Sequence, residues 1–375
     1  MPKSFALNLL GATSLLLAAC TSKPLVDSSD VTGAAGEAGV GGAADTASSK
    51  IVTLLDDAHI SSDQSAEDFQ RATAEVDFGK QAVKRARLSV QLRSPCFPFS
   101  TWSELGVPAG QNWPEACDAF DRTISIRLDE PESADDSGVG LELVRAITPF
   151  GGPESIEADV TDVVNGLPGK HRFSVHVDTW SDADGLVSGA KGEWYASAKL
   201  ETWPGTPERK VLAVVPLVLG EQTKVDADPV SFEVPAGTGQ GRLEYRATGH
   251  GAVTQLDVSC NGPAEEFCRR DHDLFIDGEL LAQLQPWRDD CAMLCTPTSN
   301  DGPYGPKSYC AENPCGDPNS VRAPRANWCP GSTTPPFVIE HDVLAMAGSH
   351  SLERGILELA PGGKWAISLA YFAFE

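Results

Sequence analysis

The chain has 375 residues, with 53 acidic against 29 basic side chains and a formal net charge of −24. A surface of that sign repels nucleic acid and anionic lipid headgroups, which excludes a polyanion as partner. The length exceeds one ordinary domain and predicts two bodies, each with enough apolar material for its own core.

Residues 1–20 read Met-Pro-Lys-Ser, an apolar run over 5–17, and Leu17-Ala-Ala-Cys20, the pattern of a bacterial lipoprotein signal over 1–19 with Cys20 as the acylated residue. The run falls short of the roughly 20 residues that span a bilayer, so the membrane is expected to hold the protein only through its N-terminal lipid. Thr21 stands where an inner-membrane lipoprotein carries aspartate, which points to the outer membrane, on its periplasmic face or at the cell surface. Residues 20–50 are rich in Gly, Ala, Ser and Asp and read as a flexible tether.

Beyond the tether the apolar residues alternate. Leu88, Val90 and Leu92 alternate with Ser89 and Gln91, and Ile124, Ile126 and Leu128 with Ser125 and Arg127. The pattern returns at Phe173, Val175 and Val177, at Leu243 and Tyr245, at Leu274 and Ile276, and at Trp365, Ile367 and Leu369. Glycine and proline punctuate the intervals, and the one helical candidate, over 67–85, has no clean apolar stripe. An all-β chain of sandwich or jelly-roll type is predicted. Residues 211–219 form an almost continuous apolar run, as in a strand covered on both faces, and the domain boundary is set after it. The N-terminal domain is read as 51–219 and the cysteine-rich C-terminal domain as 220–375.

Seven of the ten cysteines lie between Cys260 and Gly331. Export places them in an oxidising compartment, where crosslinks are expected. Cys96 and Cys117 are the only cysteines of the first domain and are expected to pair. Cys260 is expected to pair locally with Cys268, and Cys291 with Cys329, leaving Cys295, Cys310 and Cys315 to share one bond. The intervals in Cys291-Ala-Met-Leu-Cys295 and between Cys310 and Cys315 are wider than zinc ligand pairs, so no metal and no other cofactor is expected.

Three segments carry the chemistry: Cys117-Asp-Ala-Phe-Asp-Arg122, Ala264-Glu-Glu-Phe-Cys268, and Arg325-Ala-Asn-Trp-Cys-Pro-Gly331. Singly they read as a strand-edge charge pair, a solvated turn and a crosslinked loop. Taken in this order they resemble the peptide-N-glycosidase F family, as do Asp178-Thr-Trp180 and Ala213-Val-Val-Pro216. The resemblance implies two adjacent eight-stranded antiparallel jelly-roll domains with the active site between them. It implies hydrolysis of the amide joining an asparagine side chain to the first N-acetylglucosamine of an N-linked glycan, giving aspartate and a glycosylamine. N-linked glycoproteins or glycopeptides would be the partners, and the enzyme would act as a monomer.

Carried over by position, the resemblance makes Asp121, Glu266 and Asp178 catalytic. It makes Arg122, Arg325, Trp180, Phe120 and Phe267 substrate-binding. The chemistry agrees, since hydrolysing an unactivated amide without a metal needs one group to deprotonate water and another to protonate the departing nitrogen. Asp178 is one methylene shorter than the family's glutamate, and Phe120 and Phe267 replace tryptophans. The loop between Cys260 and Cys268 is longer by four residues, and Glu265 has no matched role and reads as a solvated neighbour of Glu266. Two other readings compete. One is a non-catalytic N-glycan-binding lipoprotein. The other is a copper type II ascorbate-dependent monooxygenase-like oxidoreductase of the same fold, for which the scattered histidines form no His-x-His or His-His pair.

Overall fold

The computed structural model describes residues 48–131, 138–251, 260–302 and 305–375; the signal segment and Cys20 lie outside them. The first eight strands are β1 (Lys50–Ser61), β2 (Arg71–Asp77), β3 (Val83–Arg93), β4 (Thr123–Leu128), β5 (Leu141–Ile147), β6 (Glu154–Asp159), β7 (Lys170–Val177) and β8 (Glu193–Pro204). They form two sheets, ordered β1-β8-β3-β6 and β5-β4-β7-β2, with every pair antiparallel. That interleaving of consecutive strands between two facing sheets is a jelly roll.

The pattern repeats. After β9 (Val211–Gln222), β10 (Val230–Val234), β11 (Gln240–His250), β12 (Asp271–Ile276) and β13 (Glu279–Leu284) comes an insertion that contains the hairpin β14 (Pro297–Gly302) and β15 (Gly305–Cys310) and the short β16 (Ser332–Thr334). Strands β17 (Phe337–Glu340), β18 (Gly348–Leu357) and β19 (Lys364–Phe374) then close sheets ordered β9-β19-β11-β17 and β10-β18-β12-β13. The chain is therefore two eight-stranded antiparallel jelly rolls. Strand β9 runs unbroken across residue 220 and pairs with β19 from Trp365↔Gln222 to Phe374↔Val211, so the whole apolar run over 211–219 belongs to the second jelly roll.

Alternation explains both cores. Ile124, Ile126 and Leu128 of β4 are fully buried in the first core with Val175 and Val177 of β7, and Leu243, Tyr245, Ile367 and Leu369 fill the second. The segment over 67–85 is not helical; it contains β2 and the start of β3. Strand β9 is covered on both faces as its run predicts, with Val214 in the first core and Leu217 in the second.

Part of the polar face of β4 and β5 is turned away from water. Ser125, Glu142 and Arg145 are buried, because the sheet of β9, β19 and β11 lies against them. Arg145 donates to Ala366 O at 2.5 Å and to Thr248 at 3.3 Å, and Ser368 donates to Glu142 at 2.5 Å. Strand β16, from the insertion of the second jelly roll, pairs with β5 of the first through Ser332↔Ile147 and Thr334↔Arg145. The two bodies are thus joined by hydrogen bonds as well as by apolar contact.

Disulfides Cys96–Cys117, Cys260–Cys268 and Cys291–Cys329 are present, and of the three cysteines left open Cys295 bonds Cys310 while Cys315 is buried.

Candidate active site

Cys117 is held by its disulfide at the end of the loop between β3 and β4, and the next residue, Asp118, is fully buried. Its carboxylate accepts from Arg122 Nε and Nη2 at 2.6–3.0 Å, from Thr179 Oγ1 at 2.6 Å, from Ser188 Oγ at 3.0 Å and from Trp194 Nε1 at 3.1 Å. A carboxylate with that many donors is fixed in position. It holds the Arg122 guanidinium 4.4 Å from the ring centre of Trp180, whose side chain is 40% exposed. Phe120 packs on Trp180 at 6.3 Å and on Phe150 at 5.7 Å.

Asp121 emerges between these groups and β4 into a cleft of about 1090 Å³ whose lining includes Arg122, Asp178, Trp180, His176 and His250. Asp178 sits across β4, its amide donating to Thr123 O at 3.0 Å and its carboxylate accepting from Gln70 Nε2 at 3.2 Å.

The second jelly roll contributes the one-turn helix Glu265–Phe267, spanned by the Cys260–Cys268 disulfide. Arg325 donates to Glu266 at 2.5 Å and to the carbonyl and hydroxyl of Ser320 at 2.6 and 3.0 Å. Its guanidinium lies 4.4 Å from the ring centre of Trp328 and 5.0 Å from that of Phe267. Trp328 is anchored by its indole N–H on Gly249 O at 3.0 Å. Arg325 is 1% exposed, so its charge serves the neighbouring carboxylates and its donors are not open to a large ligand.

The two halves meet electrostatically. Burial pushes the Asp121 carboxyl up, while Arg325 of the other domain and its neighbour Arg122 pull it down. Burial likewise pushes Glu266 up to about 7, against Arg325 and with the charge of Asp121 adding to the rise. Burial is the largest cause in both, and beside it the three carboxylates Asp118, Asp121 and Glu266 have only two guanidiniums, Arg122 and Arg325, among them. One carboxyl therefore keeps its proton near neutrality.

Asp121, Arg122, Asp178 and Trp180 thus share one cleft, and Glu266, Phe267 and Arg325 form a second cluster coupled to Asp121. Sequence reasoning missed three participants. Asp118 lies inside the first segment, where its place beside Cys117 was a usable signal. His250 carries a neutral imidazole, pushed down to about 3 by burial and by the charges of Arg145, Lys364 and Arg325, and it stacks on Trp328 at 5.6 Å. Glu265 is not solvated; it is fully buried against Arg270 at 2.7 Å and Trp365 Nε1 at 3.1 Å.

The remaining histidines do not converge into a copper centre. His171 bonds Asp129 and His176 bonds Glu130, both from β7, while His272 of β12 bonds Tyr245 and His350 of β18 bonds Asp277.

Residues 220–370 match the family model described as peptide-N-glycosidase F, C terminal. The chain is 26% identical over 236 residues to peptide-N(4)-(N-acetyl-beta-D-glucosaminyl)asparagine amidase F of Elizabethkingia miricola, an alignment that takes in 59% of this chain and 58% of that one. It thus spans somewhat over half the length of this curated relative. The fold is similar to that of PNGase F, a glycosylasparaginase from Flavobacterium meningosepticum, with a TM-score of 0.61 at 19% identity over 88% of this chain and 96% of that one. It is also similar to PNGF-II, with a TM-score of 0.63 at 18% identity over 87% of this chain and 65% of that one. The chain thus carries, over residues 220–370, a region that matches the C-terminal model of the peptide-N-glycosidase F family, and its pair of jelly rolls is similar in fold to PNGase F.

Proposed function

We propose that this protein is an amidase that hydrolyses the bond between an asparagine side chain and the first N-acetylglucosamine of N-linked glycoproteins or glycopeptides. The observation that carries the reading is the meeting of Asp121 and Glu266, from different jelly rolls, around Arg325 beside a cleft with Trp180 on its wall. Asp121 faces two guanidiniums, Arg122 and Arg325, whose charges favour its carboxylate form, and it is assigned as the base. It takes a proton from water as the water oxygen attacks the side-chain carbonyl. Glu266 keeps its proton and gives it to the nitrogen as the C–N bond breaks. The peptide leaves with aspartate, the glycan leaves as a glycosylamine, and solvent returns the proton from Asp121 to Glu266. Trp180 offers the flat apolar face that a sugar ring stacks on. Acting on glycoproteins outside the cytoplasm also fits the lipid anchor proposed at Cys20.

The test is incubation with an N-glycopeptide in heavy-oxygen water followed by mass spectrometry. Conversion of the asparagine to an aspartate with one solvent oxygen supports the assignment. An asparagine that keeps one sugar means that the bond cut is glycosidic, and binding without release makes the protein a glycan-binding module.

A further inference from the structure

Each of the two carboxylates assigned to the reaction follows closely on a buried carboxylate tied in the same way. In the first jelly roll, Asp118 holds Arg122 and the indole N–H of Trp194. In the second, Glu265 holds Arg270 and the indole N–H of Trp365. The two segments lie in different domains and share no spacing, so the recurrence points to a common task.

Glu265 is held at every end. Its Oε1 accepts from Arg270 Nε at 2.7 Å and Trp365 Nε1 at 3.1 Å, and its Oε2 from Arg270 Nη2 at 3.2 Å. Its amide donates to Gly251 O at 2.8 Å. A β-carbon at Gly363 would lie 2.6 Å from Oε2, so the turn before β19 closes on the carboxylate as tightly as glycine allows. Arg270 is 1% exposed and reaches Cys260 Sγ at 3.6 Å and Glu358 at 3.7 Å. The residue that follows, Glu266, has its carbonyl fixed by the Ala326 amide at 2.7 Å and its carboxylate by Arg325. Two charges taken out of water contribute little net stability compared with apolar groups of the same volume. What such a pair does supply is a fixed direction.

We infer that Glu265 is a positioning residue: through Arg270 and Trp365 it fixes the turn that presents Glu266 to Arg325 and Asp121. The inference rests on the amidase reading for its kinetic consequence and on the geometry alone for its local one.

Two variants of the full chain test it, Glu265→Gln and the paired replacement Glu265→Leu with Arg270→Met, which removes both charges together. Amide hydrogen exchange and glycan release from an N-glycopeptide are measured on each. We expect the Cys268 and Ala326 amides, which donate to Glu265 O and Glu266 O, to exchange about tenfold faster or more, while those of β12 keep wild-type rates. We expect kcat to fall by about 100-fold with KM within about threefold, as for a reacting group moved by about 1 Å. Wild-type kcat in the paired variant overturns the inference, as does a uniform rise of exchange throughout the second jelly roll. Failure of the paired variant to fold also overturns it, because the pair would then be a requirement of the fold. If wild type itself releases no glycan, the amidase reading falls, and the exchange pattern alone decides the role of Glu265.

Discussion

Ser368 of β19 donates a 2.5 Å hydrogen bond to Glu142 of β5, so the last strand of the chain closes on a carboxylate buried in the other jelly roll. The same carboxylate accepts from Ser125 at 2.5 Å and from Arg145 at 2.8 Å, and Arg145 reaches back to β19. Because Asp121 and Glu266 come from different bodies, this junction sets their separation.

Glu142→Gln is expected to leave Arg145 as a buried charge without its counter-ion and to destabilise the protein by roughly 3–5 kcal/mol, read by urea denaturation. Ser368→Ala removes one hydrogen bond to a charged group and is expected to cost roughly 1.5–3 kcal/mol. Burial opposes ionisation of Glu142, but Arg145, Arg246 and the two serines outweigh it and hold its carboxyl below the usual range. Its contribution is therefore present above the ordinary glutamate range and lost as pH falls through its lowered value, and the Gln variant is expected to lose that part of the acid dependence.

The pH dependence of turnover is expected to carry the titration of Glu266. With its carboxyl near 7, the protonated form that serves the departing nitrogen is lost as pH rises through that value. A plot of log kcat/KM against pH is expected to bend downward near 7 in wild type, and Glu266→Gln is expected to abolish the bend along with most of the rate. A wild-type profile flat from pH 6 to 9 would remove Glu266 from the role of acid.

Much of the fold was legible because period-two alternation survives wherever a strand has one apolar face. Ile124, Ile126 and Leu128 announced β4 and its core side without ambiguity. The same rule misplaces Ser125 and Glu142, since alternation marks a polar face without saying whether water or a second domain covers it. Strand β16 was invisible, for a three-residue strand has no period to detect. Asp121, Arg122, Glu266 and Arg325 were found because the cysteine-bearing segments they stand in resemble, in order, those of the peptide-N-glycosidase F family. Asp118 and Glu265 were passed over because a carboxylate is ordinarily solvated, and only the tertiary placement of Trp194 and Trp365 reveals that these two are not.

Glu154 opens β6 opposite Leu92, is 8% exposed, and its Oε2 has no hydrogen-bond partner among the described residues. Burial alone pushes its carboxyl up to about 8. An acid whose folded value is raised destabilises the fold as pH climbs from the unfolded value toward the folded one. Glu154→Gln, equal in size and never charged, is thus expected to stabilise the protein at pH 7 by on the order of 3 kcal/mol. The gain is expected to vanish below the ordinary glutamate range. Chemical denaturation at pH 4 and pH 7 checks this, and equal differences at both would contradict it.

Asp121→Asn removes one charge from a site where three carboxylates share two guanidiniums, and two consequences follow. Asparagine keeps the size and most hydrogen bonds but does not take a proton from water, so glycan release is expected to fall below detection while glycopeptide binding, carried by Trp180 and the cleft, stays within a few-fold. The second consequence needs no substrate. The charge of Asp121 is one of the causes that raise Glu266, so its loss must lower the Glu266 value from about 7 toward the ordinary glutamate range, with Arg325 now acting on Glu266 with less competition. Carbon-13 NMR of glutamate-labelled protein, with Glu266→Gln assigning the resonance, reads that shift directly. A Glu266 titration unmoved by Asp121→Asn would mean that the two carboxyls do not sense one another across the domain boundary, and the shared-proton account of the site would be abandoned even if the variant were inactive.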